Sequence, residues 1–391
     1  MKRSAILLSL FAIAFAISCS HNNPPINDLP EIDVTRRFPE REIVLTDIAN
    51  VTYVHMNARN NDFLFRGTIQ YVTENTIIVV DRASGSVLFF SKDGTPKSRF
   101  NRLGNGPEEF PSTRFQVIYD EITDEVFIFD FFIPFIQVYS SSGKHKRRLD
   151  LPFGVRTIQM FIFDNESLIV FDENSRSLSE PTDMNSTASP FFLICRADGQ
   201  VLYYIPIPTS QTCLWIRSSF TDALLGGLFV DIARHAEGFL LCNPATDTVF
   251  LFCRNKNLTP ILWKTPSVDR LNPKIILNNA IDIENYQFFE IQTLTEENVG
   301  FRERHRHYIR DKRTGRVYRQ RIVLPDFQGK QIIISPTHNN FLHKNGIHIE
   351  LDLQELKQAY RENRLSGELR ELVSTLNEFE DNNVFMLVHF K

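Results

Sequence analysis

Short apolar strands separated by turn residues recur along this chain. Ile77 to Val80 and Val87 to Phe90 flank Asp81-Arg82-Ala83-Ser84-Gly85-Ser86. The same turn reappears as Asp311-Lys312-Arg313-Thr314-Gly315-Arg316-Val317, and more loosely as Asn243-Pro244-Ala245-Thr246-Asp247-Thr248-Val249. An Asx side chain closes such a turn on its own backbone, so Asp81, Asn243 and Asp311 read as structural. Gly85 and Gly315 fit the left-handed position that follows. Aligning residues 76–100 with 125–149 gives a second view: Asp81 matches Asp130, Ser91 matches Ser140, and Gly94 matches Gly143. Each unit is strand, turn, strand, a second turn, then a further strand. Further copies begin at Ser167, Gly238 and Phe341, the last turning at Asn345-Gly346, and another is centred on His307 to Leu324.

Six such units predict an all-β fold, a six-bladed β-propeller. The chain is long for six blades, and the surplus is assigned to loops at 173–190, 210–235 and 267–300. Leu369, Leu372, Val373, Leu376 and Phe379 fall on one helix face. They predict a short C-terminal helical insertion before a closing strand over Val384 to Phe390. Propellers remove exposed edges by pairing strands from both termini. Ile43 to Leu45 or Val51 to His55 would serve as the N-terminal partner.

The N-terminus carries Lys2 and Arg3, an apolar run from Ile6 to Ile17, and then Ala16-Ile17-Ser18-Cys19. That run is too short to span a bilayer and reads as a signal sequence. The segment before Cys19 has the form of a lipobox, which makes Cys19 the lipidation site. The expected organisation is a signal peptide over 1–18, a lipidated flexible tether over 19–38 and a propeller over 39–391. Loss of the signal lowers the net charge from −4 to about −6. No basic excess exists, so nucleic acid is not an expected partner. Thirty-four Phe against two Trp points to rings packed between sheets. Cys195 and Cys253 align with Phe90 and Tyr139, which predicts small buried thiols. The pairing state of Cys213 and Cys242 stays open.

Candidate chemistry is sparse. Gly104-Asn105-Gly106-Pro107 lacks the Lys-Ser/Thr of a phosphate cradle, and Gly104, Gly106 and Pro107 read as a turn between blades. Arg302-Glu303-Arg304-His305-Arg306-His307 is the densest charge run. On a strand, His305 and His307 share one face, and Arg302, Arg304 and Arg306 the other. The bland expectation is a solvated strand; the sharper one is an anion-binding arginine face. His338, His343 and His348 are expected exposed around the last hairpin. Asp81, Asp130, Asp172 and Asp311 recur by blade and are expected to close turns, not to line a calcium channel. No zinc-protease, esterase or Cys-His signature appears, and no cofactor or metal is expected.

The lipobox at Cys19, the opening Ile43-Val44-Leu45-Thr46-Asp47-Ile48-Ala49, the loop Leu103-Gly104-Asn105-Gly106-Pro107-Glu108-Glu109-Phe110 and the terminal Asn383-Val384-Phe385-Met386-Leu387-Val388 form one pattern. It resembles the six-bladed β-propeller lipoproteins of Bacteroides and related bacteria, an NHL-like family. Glu108 stands where that family has glycine, and Val384 where it has proline. The resemblance implies the fold and an outer-membrane location, with the periplasmic and surface faces both open; it lends no catalytic residues. The expected function is a non-catalytic binding or scaffold module, held to the membrane by its lipid and meeting an envelope protein or glycan. The alternative is a lactonase-like hydrolase or lyase with a polar or metal site at the central channel.

Overall fold

The computed structural model describes residues 29–58, 61–152, 154–157, 159–173, 189–207, 216–217, 224–225, 229–243, 245–297, 305–335, 341–342 and 346–391. Six sheets of at least four strands follow one another around a ring. Blade 1 is Gly67–Val72, Thr76–Asp81, Ser86–Ser91 and Pro96–Asn101, from the innermost strand outward. Blade 2 is Gln116–Asp120, Glu125–Phe129, Phe135–Tyr139 and His145–Asp150. Met160–Ile162, Ser167–Phe171, Phe191–Cys195 and Val201–Tyr204 make blade 3. Blade 4 comprises Ile232–His235, Gly238–Leu241, Thr248–Cys253 and Leu258–Thr265. Blade 5 comprises Ile275–Asp282, Tyr286–Thr293, Arg306–Asp311 and Val317–Val323. Blade 6 takes Phe341–Leu342, Gly346–Leu351 and Val384–Phe390 from the C-terminal part and Ala49–His55 from the N-terminal part.

The second and third strands are covered on both faces, so their residues are apolar without alternation, as in Ile77-Ile78-Val79-Val80. Phenylalanine fills the spaces between blades. Phe163 of blade 3 stacks on Phe252 of blade 4 at 5.3 Å, and Phe288 of blade 5 meets Phe390 of blade 6 at 5.2 Å. Two glycines have no room for anything else: a Cβ on Gly67 or Gly238 would land on the backbone carbonyl of Val80 or Phe252.

The ring closes through Val51 to His55, not Ile43 to Leu45. Val384 pairs with His55 and Phe390 with Ala49, antiparallel throughout. The N-terminal segment does more than close the ring. Glu31–Asp33 lies parallel to the outer strand of blade 4, and Glu40–Val44 parallel to that of blade 5, followed by a one-turn helix, α1 (Leu45–Ile48). The chain therefore wraps three consecutive blades in order, covering the outer edges of two before completing the third. Residues 31–33, within the span assigned to a tether, are thus a strand.

Other expectations need correction. Residues 267–300 are not an inserted loop, because they supply the two innermost strands of blade 5. Ile232–His235, at the end of 210–235, is the innermost strand of blade 4. The Asp81 and Asn243 turns join second to third strands, whereas the Asp311 turn joins third to fourth. The turn chemistry recurs, but not at one topological place. Phe379 does not continue the helical stripe. Helix α3 (Gly367–Thr375) buries Leu369 and Val373, while Phe379 lies beyond its end and is 79% exposed. Asn377 accepts from Phe379 N at 3.0 Å in a local turn that replaces the helix. An additional helix, α2 (Leu353–Arg361), precedes it, capped by Asp352 accepting from Glu355 N at 2.8 Å.

The two cysteines expected in the core occupy a different register. Cys195 N donates to Gln200 O and Cys253 N to Asn257 O, as Ser91 N does to Thr95 O and Ser140 N to Lys144 O. The thiols stand where blades 1 and 2 have serine, one residue past Phe90 and Tyr139. One residue of slip turns a strand side chain to the other face, and both cysteines are half-buried. Cys195 and Cys253 are free thiols. Cys213 lies outside the described residues.

Candidate functional site at the loop-bearing rim and axis

Each innermost strand runs antiparallel to the second, so its first residue sits beside the second strand's last, as in Gly67 opposite Asp81 and Ile275 opposite Thr293. The connections entering each blade and the turns from second to third strands therefore share one rim. The described ends of the longest connections lie at that rim: Phe171 and Phe191, Tyr204 and Ile232, Thr293 and Arg306, Val323 and Phe341, and Leu351 and Val384, the last pair joined through α2 and α3. The turns between first and second strands, at the opposite rim, are short.

The turn acids described at the long-loop rim are committed to backbone. Asp81 accepts from the backbone of Arg66, Ala83 and Ser84, and its carboxyl is held below the usual range against the opposing effect of partial burial. Asp130 accepts from Phe132 N at 2.8 Å and Ser112 Oγ at 2.7 Å. At blade 3, Asp172 accepts from Arg156 N. Asn243 accepts from Ala245 N; at the opposite rim, in the outer turn of blade 5, Asp311 accepts from Arg313 N and Thr314 N. The Gly104 loop is self-capped. Gly106 N donates to Glu109 Oε2 at 2.9 Å, and the loop docks on blade 2 through Gln137 and Tyr139 bonds to the Pro107 and Glu108 carbonyls. A Cβ on Gly104 would push the Glu109 carboxylate out of this cap.

Between blades 3 and 4, one amide holds two acids. Gln159 Nε2 donates to Glu173 Oε1 at 3.0 Å and Asp231 Oδ2 at 3.1 Å, while its Oε1 accepts from Asp231 N at 2.7 Å. Asp231 is fully buried and Glu173 nearly so. Sequence reading passed over all three, since none sits in a motif.

The second buried cluster lies on the face of blade 5 turned to blade 6. Glu290, fully buried on the second strand, is flanked in register by Asn278 on the first and His307 on the third. Ser335 Oγ donates to Glu290 Oε2 at 2.7 Å. His305 Nδ1 lies 2.9 Å from Oε1, and His307 Nδ1 lies 3.7 Å from Oε2. Burial alone would raise the Glu290 pKa. The hydrogen bonds from His305 and Ser335 and the charges of both histidines outweigh it and hold it at about 2. The shared face of His305 and His307 is real, but it is packed against a carboxylate and is not a solvated strand. Arg306 sits opposite Ile291, half-buried. Arg302 and Arg304, the rest of the expected anion face, lie outside the described residues, as do Cys19, His338 and His343. His348 is not an exposed hairpin residue: it lies on the second strand of blade 6, 7% exposed, and burial pushes its pKa down to about 4. Among the described residues no group of three His, Cys, Asp or Glu side chains is arranged to hold a metal ion.

The axis itself is bridged. Arg234, on the innermost strand of blade 4, places its guanidinium 4.2 Å from the ring centre of Tyr71, on the innermost strand of blade 1. Blades 1 and 4 are opposite in a ring of six, so this contact crosses the central channel. Phe161 of blade 3 stands 5.5 Å from the same group.

Comparison with known proteins agrees with this architecture. Residues 26–190 match a family model, DUF5128, described as a 6-bladed beta-propeller. The fold is that propeller. A crystal structure described as an exported protein from Bacteroides fragilis is similar over 93% of this chain and 99% of its own, with 14% identity and a TM-score of 0.61. A member of the DUF4221 family from Bacteroides vulgatus covers 88% of this chain and 97% of its own, with 11% identity and a TM-score of 0.48. At these identities the likeness concerns the fold. No curated protein matches the chain.

Proposed function

We propose that this chain is an envelope lipoprotein whose propeller is a non-catalytic recognition module, meeting a protein or glycan partner through its long-loop rim. One observation carries the reading: the long connections start and end at a single rim, over a ring whose axis is bridged by Arg234 against Tyr71. Loops on a rigid scaffold are where binding concentrates. Among the described residues, Asp81, Asp130, Asp172, Glu173 and Asp231 at that rim hold turns and blades, which disfavours a hydrolase reading. The relative from Bacteroides fragilis is described as exported, which supports an envelope address. No helix among the described residues is long and apolar enough to cross a membrane, so attachment rests on Cys19. In this reading the tether leaves from the outer edge of blade 4, where Glu31–Asp33 pairs with the outer strand. From Cys19 to Glu31 the chain can reach at most about 40 Å, which keeps the propeller close to the bilayer.

Replacing Cys19 by Ser is expected to abolish incorporation of labelled fatty acid and to release the protein from the membrane fraction. Unchanged labelling in the variant contradicts the anchor.

A further inference from the structure

Arg234 differs from other interior cations in what surrounds it. Arg196 closes on Asp120 and Glu125, Lys264 on Asp247, and Lys312 on Asp282. Arg234 meets only the faces of Tyr71 and Phe161; among the described residues it has no carboxylate partner and donates no hydrogen bond. A guanidinium presents five N–H donors in a planar fork, and ring faces satisfy none of them. The innermost strands offer no spare counter-ion. Their described carboxylates are Asp120, held by Arg196, and Asp282, held by Lys312 and Gln287. Asp231, three residues before Arg234, is clamped by Gln159.

The position is deep yet reached by solvent. Innermost strands are covered by neighbouring blades, so their exposed side chains look onto the axis. Thr68 is exposed there, and Gln70, Gln116, Phe161 and Arg234 are half-buried. Gln70 Nε2 donates to Thr68 Oγ1 at 2.8 Å, so this lining is neutral and polar. Burial first, and then the positive charge of Arg254, push the Arg234 pKa down to about 9. The site thus keeps a cation where its own structure disfavours one, beside a second cation and with no acid to meet it.

We propose that Arg234 anchors an anion-binding site in the axial channel, taking a small oxyanion group, carboxylate or phosphate, on its free guanidinium edge. Tyr71 and Phe161 hold the guanidinium plane, leaving its edge for bidentate bonds. Thr68, Gln70 and Gln116 supply neutral polar partners for the rest of the ligand. This inference rests on the recognition reading and names the chemistry of what is recognised.

The test is calorimetric titration of the purified full chain with inorganic phosphate and, separately, with glucuronate, at ionic strength matched with chloride. Saturable one-site binding of one probe is expected, and which probe binds tells phosphate from carboxylate. Arg234→Gln should weaken it at least tenfold, while Arg316→Gln, on the outer edge of blade 5, should leave it unchanged. Should the Arg234 variant not fold, phenylglyoxal modification of the wild-type protein, mapped by mass spectrometry, gives the same answer: the probe should protect residue 234. Absence of saturable binding by both probes, equal binding by Arg234→Gln, or modification of residue 234 unaffected by a bound probe overturns the site and makes Arg234 a structural bridge only. A partner found in cells without anion binding removes this inference alone. Anion binding without a partner removes the scaffold reading and leaves the site standing.

Discussion

Arg196→Ala is expected to lower stability by about 3–5 kcal/mol, the cost of leaving buried charges without their partner. Arg196 begins the turn after the third strand of blade 3, and its side chain is 6% exposed. It donates to Asp120 Oδ2 at 2.7 Å and Glu125 Oε2 at 3.0 Å, both on blade 2. Arg147 binds the same Glu125 and also donates to the Arg196 carbonyl at 2.8 Å, so backbone and side chain are locked together. Burial would raise the pKa values of both acids, but the arginine bonds hold them below their usual range. Removing the guanidinium reverses that balance and strands two acids between blades. For a chain of this length, thermal unfolding should fall by roughly 5 °C. Arg321→Ala, which breaks exposed pairs with Glu40 and Glu42, should cost less than about 1 kcal/mol. Equal losses in the two variants, measured by urea denaturation, would refute the blade 2–3 clamp.

Glu290→Ala should show a different signature, a loss that depends on pH. The native pKa is about 2, against an ordinary glutamate value near 4.3 in the unfolded chain, which corresponds to roughly 3 kcal/mol in favour of the fold. Because the native value is depressed, that contribution is complete above about pH 4.5 and fades as pH falls toward 2. The variant should therefore be less stable than the parent by roughly 3 kcal/mol at pH 7, and the gap should narrow steadily by pH 3. A gap of constant size across that range would mean that packing, not the charge on Glu290, accounts for the loss.

The chain's periodicity carried the ring more clearly than its details. Strands such as Ile77 to Val80 and Val126 to Phe129 are buried on both faces and bounded by turn residues, so six units were countable. The Phe385 strand was legible because a propeller must hide its edges, but its partner was narrowed only to Ile43 to Leu45 or Val51 to His55. The innermost strands of blades 4 and 5 were not. Ile275–Asp282 carries Asn278 and Asn279 in mid-strand, and Tyr286–Thr293 buries Gln287, Glu290 and Gln292. A strand that packs polar groups against partners from elsewhere looks like a loop in sequence. Helix α2 had its signals, Asp352 three residues before Glu355 and apolar Leu353, Leu356 and Ala359, but it is short. The cysteine register failed for want of one residue, which the repeat alignment could not resolve.

The candidate sites follow the same logic. His305 and His307 sharing a face is a property of strand period and could be read. Their acid, Glu290, comes from the neighbouring strand 15 and 17 positions away, where only pairing register brings them together. Arg234 is harder still, because its partner Tyr71 lies on the opposite side of the ring. No local pattern marks a contact across an axis.

The most direct test of the recognition reading is site-specific photocrosslinking in intact cells. Probes at Phe132 and Phe379 sample the long-loop rim, where both side chains are exposed; a probe at Ile122 samples the opposite rim and is 95% exposed. Mass spectrometry of the purified lipidated protein should find one reproducible partner at near-equal amount, captured from the long-loop rim and not from Ile122. Well-expressed, membrane-attached protein that yields no partner from either rim, or the same yield from both, would contradict the account.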